Sequence, residues 1–202
     1  MAHSSHYNAP YRRRREGKTD YAARKALVLS GKPRIVIRGS VKNMTAQIIV
    51  AKPEGDIVLV SAHSRELPEK YGWKGPGTNL TAAYLVGFLC GSRAKAQGTA
   101  EAIADIGLHS PSKGARVFAA LKGAADGGVN VPHSKEKLPS DDRIKGEHIG
   151  KYAKSLASEP EEYELRFSKY VERKLNPEDV PANFAETKKN IAAEFAGGGK
   201  KA

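Results

Sequence analysis

The chain has 202 residues, 28% of them charged, and its 34 Lys and Arg against 22 Asp and Glu give a net charge of +12. That length buries the core of one domain with room for extensions, and that charge calls for a polyanionic partner or an anionic membrane surface. No apolar run reaches the roughly 18–20 residues of a membrane span, the start is too charged for a secretory signal, and the single cysteine, Cys90, excludes an internal disulfide, so a soluble cytoplasmic protein is expected.

The charge is unevenly placed. Residues 1–50 hold 11 basic and 2 acidic side chains, a net of +9, which describes a basic arm on a nearly balanced body. Residues 1–11 are polar and aperiodic, and His3 and His6 there read as part of a mobile tail rather than a metal site. Arg12-Arg13-Arg14-Arg15 follows, then Lys18, Arg24 and Lys25, interleaved with Tyr7, Tyr11 and Tyr21. Four adjacent like charges repel unless phosphates neutralise them, guanidinium forks match phosphate oxygens, and tyrosine rings stack on bases. The alternatives are a nuclear-localisation run or a plain solvated one. Asp20 to Leu29 predicts a short helix ended by Ser30-Gly31.

Residues 31–50 are the organising stretch. Period two puts Ile35 and Ile37 on one side and Arg34, Val36 and Arg38 on the other, a strand with a charged face; after Gly39-Ser40 the run resumes at Thr45 to Val50, which predicts an antiparallel pair joined by a loop holding Lys42 and Asn43. Ile57 to Ala62 is a third strand without polar alternation, expected to be buried on both faces. His63-Ser64 closes it and suggests a nucleophile with its base, but no acidic partner is placed and no nucleophile elbow is present.

Tyr71 to Asn79 is a loop leading into a helix from about Leu80 to Ala96, capped by Thr78 or Asn79, with Ala82, Ala83, Gly87 and Gly91 allowing close packing. It is the expected core helix, and Cys90 on it is a buried hydrophobe. Gly75-Pro76-Gly77 lies where a phosphate is bound in other proteins, but no phosphate-loop lysine follows. Glu101 to Gly107 reads as a strand, Ala115 to Ala125 as a helix with Val117, Phe118 and Leu121 inward, and Val129 to Pro132 as a short extended piece. Past His133 the composition becomes charge-rich, with helices expected over 146–157 (His148, Tyr152, Leu156 as the stripe), 161–174 and 183–195, ordering fully only against a partner, and a frayed end at 197–201.

These elements predict an α+β fold: a mostly antiparallel sheet with helices on one face, the other face free for RNA, a basic N-terminal arm over 1–31, a core domain over 32–132 and a charged helical extension over 133–202. Arg12 to Tyr21, Ser30-Gly31-Lys32-Pro33-Arg34, Ser61-Ala62-His63-Ser64, Tyr71-Gly72-Trp73, and Asp105-Ile106-Gly107-Leu108 with Ser110-Pro111 together resemble the archaeal form of the 5S-rRNA-binding protein of the large ribosomal subunit, universal family eighteen. The resemblance implies a structural constituent of the cytoplasmic ribosome that binds 5S rRNA, attaches it to the large-subunit rRNA in the central protuberance and touches neighbouring large-subunit proteins. It implies no catalysis, cofactor, metal, small-molecule substrate or membrane. Carried over by motif, the RNA-binding positions are Arg12, Arg13, Arg14, Arg15, Lys18, Thr19, Tyr21, Arg24, Lys32, Arg34 and Arg38, with Lys42 added from the hairpin loop. Two other classes compete: an enzyme on a phosphorylated substrate, resting on the Gly-Pro-Gly turn, His63 and Cys90, and a DNA-compacting protein, resting on the arm alone.

Overall fold

The computed structural model describes residues 5–196, so His3 and the end at 197–201 lie outside the described residues. In chain order the elements are α1 (Arg12–Arg15), α2 (Tyr21–Leu29), β1 (Arg34–Gly39), β2 (Met44–Val50), β3 (Ile57–His63), α3 (Glu66–Lys70), α4 (Leu80–Ala96), β4 (Ile103–Asp105), α5 (Arg116–Asp126), α6 (Asp141–Lys145), α7 (Glu147–Ser155), α8 (Pro160–Glu172) and α9 (Val180–Ala196).

The α+β expectation holds, with one four-stranded sheet in the order β3-β2-β1-β4. The β1–β2 and β2–β3 pairs are antiparallel, and β4 lies parallel to β1 with Ile35 opposite Ala104. Ile35 and Ile37 of β1, Ala46 and Ile48 of β2, and Val60 and Ala62 of β3 are buried together on one face, as the two-residue period requires. Helices α4 and α5 cover that face. Helix α4 is apolar on every side because it is enclosed by the sheet, α5 and α9. Its first turn is capped by the Asn79 side chain, which accepts from the Ala82 amide at 2.7 Å. Cys90 is fully buried, which pushes its thiol up to about 12 and removes it as a nucleophile.

β3 departs from the expectation. It is an edge strand, and Ile57, Val58 and Leu59 are 42%, 46% and 39% exposed, while Val60 and Ala62 alone reach the core. An unbroken apolar run states hydrophobicity but not the number of layers around it, so it does not distinguish a central strand from an edge that runs out past its covering helix.

The C-terminal segment also differs. Gly146, at φ +86°, separates α6 from α7, so the helix expected over 146–157 starts one residue later and follows a tight left-handed break. His148 is exposed and Tyr152 nearly half exposed; the buried side is Ala153 and Leu156. Together with Phe167 of α8 these residues form a small second cluster. Helix α9 belongs to the main core: Val180, Phe184 and Ile191 are buried in the same cluster as the sheet and α4. Tyr71-Gly72-Trp73 is its docking strip, since the Asn183 amide donates to the Gly72 carbonyl at 3.1 Å and accepts from the Lys74 amide at 3.1 Å, and the Asn190 amide donates to the Tyr71 carbonyl at 3.2 Å. Lys188 donates to the Tyr84 hydroxyl at 2.8 Å and lies 5.0 Å from that ring's centre. The expectation that this segment orders only against a partner is therefore overturned for α9, whose partner is α4. Ile191→Ala is expected to cost about 2–5 kcal/mol in urea unfolding of the whole chain; an unchanged main transition would mean that α9 folds apart from the body.

Candidate nucleic-acid interface

The described part of the arm runs over residues 5–30. Arg12 to Arg15 form a single helical turn with no buried side chain. Arg12 and Lys18 both reach Glu16, at 3.7 and 2.8 Å, and the Arg13 Nε donates to Thr19 Oγ1 at 2.8 Å. Arg14 and Arg15 have no acidic partner among the described residues. Asp20 then caps α2, accepting from the amides of Ala22 and Ala23 at 2.9 and 3.2 Å, and Tyr21 sits 4.9 Å, centre to centre, from Tyr11.

Helix α2 buries none of its residues and is held to the body by charge. Arg24 donates both guanidinium arms to Asp56, at 2.8 and 2.9 Å, in a bidentate pair. Asp56, in the turn before β3, also accepts from Arg34 at 2.9 Å. Arg34 turns its other arm to Asp105 at 2.8 Å, and Asp105 accepts from Arg38 at 2.8 Å and from the Gly107 amide at 3.0 Å. Five side chains from α2, β1, the β2–β3 turn and β4 thus form one alternating lattice.

The second face of the sheet is consequently not free. Arg34 is only 2% exposed and does not stand outward on this face: clamped between two carboxylates, it positions Asp56 and, through it, Arg24. Arg38 is half exposed but shares Asp105 and the Asp105 carbonyl, with its guanidinium lying over Gly107. Gly107 has φ +62°, and a methyl group there would come 2.8 Å from the Arg38 guanidinium carbon, which accounts for the glycine in Asp105-Ile106-Gly107. Helix α2 roofs this face over a cleft of about 830 Å³.

The structure brings Arg13, Lys18, Thr19, Tyr21, Arg24, Arg34 and Arg38 together around that cleft. Lys32 lies apart, paired with Glu101 at 2.8 Å, and Lys42 is exposed in the β1–β2 loop. Sequence reasoning missed Asp56 and Asp105, the anions that arrange the cations; an aspartate interrupting the otherwise apolar run Ala102 to Ile106 was the available signal. Ser64 is structural, accepting from the Met44 amide at 3.1 Å and donating to Asn43 at 3.1 Å, and the His63 ring accepts from the Arg65 amide at 3.1 Å. The Gly75 carbonyl accepts from Arg173 at 2.7 Å, and the turn it belongs to wraps the Trp73 indole.

The hydrogen bond from Arg24 holds the Asp56 carboxyl below its ordinary value near 3.8, against the opposing effect of burial, with Arg34 adding to it. A depressed folded-state value contributes stability above the ordinary carboxylate range and loses it as pH falls through the folded value. Acid is therefore expected to weaken the attachment of α2 in the range below about pH 4, seen as faster amide exchange in α2, and Asp56→Asn should show that faster exchange already at neutral pH.

A family model described as ribosomal large subunit proteins 60S L5 and 50S L18 matches residues 5–100 and 94–134. Over 196 residues, 96% of this chain and 92% of the relative, the chain is 53% identical to the large ribosomal subunit protein uL18 of Aeropyrum pernix. The basic arm, the charge lattice beneath it and these two matches agree: the chain belongs to the family of ribosomal large subunit proteins that comprises 60S L5 and 50S L18.

Proposed function

We propose that this large-subunit protein binds 5S rRNA and holds it to the large-subunit rRNA in the central protuberance, beside neighbouring large-subunit proteins. The observation that carries the reading is the arm itself: four consecutive arginines on an exposed turn, standing on a helix that the Arg24–Asp56 pair fixes to the body. Arg12, Arg13, Arg14, Arg15 and Lys18 engage phosphates and supply salt-dependent affinity. The rigid surface behind them, with Thr19, Tyr21, Arg38 and Lys42 exposed or at its rim, reads RNA shape. Arg24 and Arg34 set the angle of the arm.

The reading is tested by titrating salt against binding of 5S rRNA and of a size-matched control RNA. Replacing Arg12, Arg13, Arg14 and Arg15 with Ala is expected to reduce the slope of log affinity against log salt by about 3, at roughly 0.7–0.9 per neutralised phosphate, and to leave the preference for 5S rRNA in place. A parent chain with no preference for 5S rRNA would sink the proposal. An unchanged slope would remove the arm from it.

A further inference from the structure

The cleft beneath α2 is lined by two kinds of surface. On the second face of the sheet Val36 and Ile49 give its floor an apolar patch beside the Arg34–Asp105–Arg38 lattice, and Tyr21 lines its side. Its rim carries the outer cations Arg13 and Lys18. The carboxylates between them are spoken for: Asp20 accepts from two backbone amides, Asp56 from Arg24 and Arg34, and Asp105 from Arg34, Arg38 and the Gly107 amide. The lining carries five cations and three carboxylates, a net of +2, with Lys18 also paired to Glu16 at 2.8 Å outside it, so the cleft attracts an anion, while its apolar patch offers a bare one no partner.

A phosphate alone would leave the apolar floor uncovered. An A-form duplex presents its phosphates to a surface and keeps its bases stacked inside, so it does not reach the floor either. What matches apolar floor, aromatic wall and cationic rim together is a flat heterocycle attached to a phosphate. The volume, about 830 Å³, lies in the range of roughly 300–1,000 Å³ that small-ligand sites occupy. Resting on the RNA-binding reading above, we propose that this cleft takes one extruded nucleotide of the bound RNA, its base on Val36 and Ile49 beside Tyr21 and its phosphate at Arg13 and Lys18. Unstacked bases at bulges and loops are the elements of RNA that proteins take up in this way. A free nucleotide shares that chemistry, and the experiment separates the two sources.

Two variants narrow the cleft without removing a cation. Ala23→Leu does so from the roof, on a helix that buries none of its own residues, and Val36→Phe does so from the floor. Each is expected to weaken 5S rRNA binding about ten-fold, the loss of one stacked base, with the salt slope unchanged because no phosphate contact is lost. Base-reactive footprinting should show one nucleotide protected by the parent chain and reactive in both variant complexes. Amide shifts on adding adenosine or guanosine monophosphate to the free chain, confined to the cleft and abolished by Ala23→Leu, would make the free nucleotide a ligand in its own right; no shifts together with the footprint effect assign the nucleotide to the RNA. Ala23→Leu with parental affinity and an identical footprint overturns the proposal, and since that substitution leaves the core untouched, misfolding does not excuse it. A parent chain that fails to prefer 5S rRNA fails the earlier reading instead, and the cleft then stands or falls on the mononucleotide shifts.

Discussion

Asp105→Ala is expected to destabilise the chain by about 3–5 kcal/mol, the cost of stranding a buried charge by removing its partner. The Arg34 side chain is 3% exposed and the Asp105 side chain 8%, so water does not replace the lost carboxylate. Arg34 would keep Asp56 alone, with its Nε already buried and unpartnered. The same change frees one arm of Arg38 and the Gly107 amide. Urea unfolding measures it, and a loss under about 1 kcal/mol, the size of an exposed pair, would mean that the lattice is solvated. Asp56→Ala should cost less, because Asp56 is 27% exposed and Arg24 can turn to solvent.

Gly87→Ala sets two effects of opposite sign against each other. Alanine is the better helix former by about 0.8–1 kcal/mol, and α4 is a regular helix at this position. A methyl group at Gly87, however, lands on the backbone carbonyl of Ala120 in α5. Backbone cannot rotate away as a side chain can, so the two helices must separate, and overpacking of this kind costs about 1–3 kcal/mol and occasionally more. A net loss of about 2 kcal/mol is expected in urea unfolding; a gain in stability would show that the seam yields freely. The seam is reciprocal, for Gly123 of α5 meets the Tyr84 carbonyl of α4 in the same way, and Gly91 and Gly127 continue it.

That seam marks how far the sequence was legible. Gly87 and Gly91 stand four residues apart on an apolar helix, so close packing there followed from spacing, whereas Gly123 and Gly127 announce themselves only once the partner helix is known. The bounds of α4 were readable from its capping residues and its long apolar run, and the core-facing side of β1 from its two-residue period. Arg34 was not readable. Period two places it opposite Ile35 correctly, but whether that side meets water depends on Asp56 and Asp105, which are 22 and 71 residues away in sequence. Long-range charge pairing leaves no local pattern. The same limit applies to α9: its apolar residues are sparse because α4 supplies most of the contact, so a narrow stripe described a helix with a large partner rather than a helix without one.

The covering of α4 by α9 also fixes an order in time. The apolar side of α4 that receives Phe184 and Ile191 is complete when Ala96 has been added, yet Ile191 follows 95 residues later. At synthesis rates of roughly 5–20 residues per second, that side stays bare for on the order of 5–20 s after Ala96, an interval in which β4 and α5 are made and close on the rest of the body. During that interval the nascent chain exposes Tyr84 and Phe88 to whatever is nearby. A chaperone that recognises short aromatic and aliphatic segments should therefore bind ribosome-attached chains ending near residue 140 and release those that extend past residue 196 once they clear the exit tunnel.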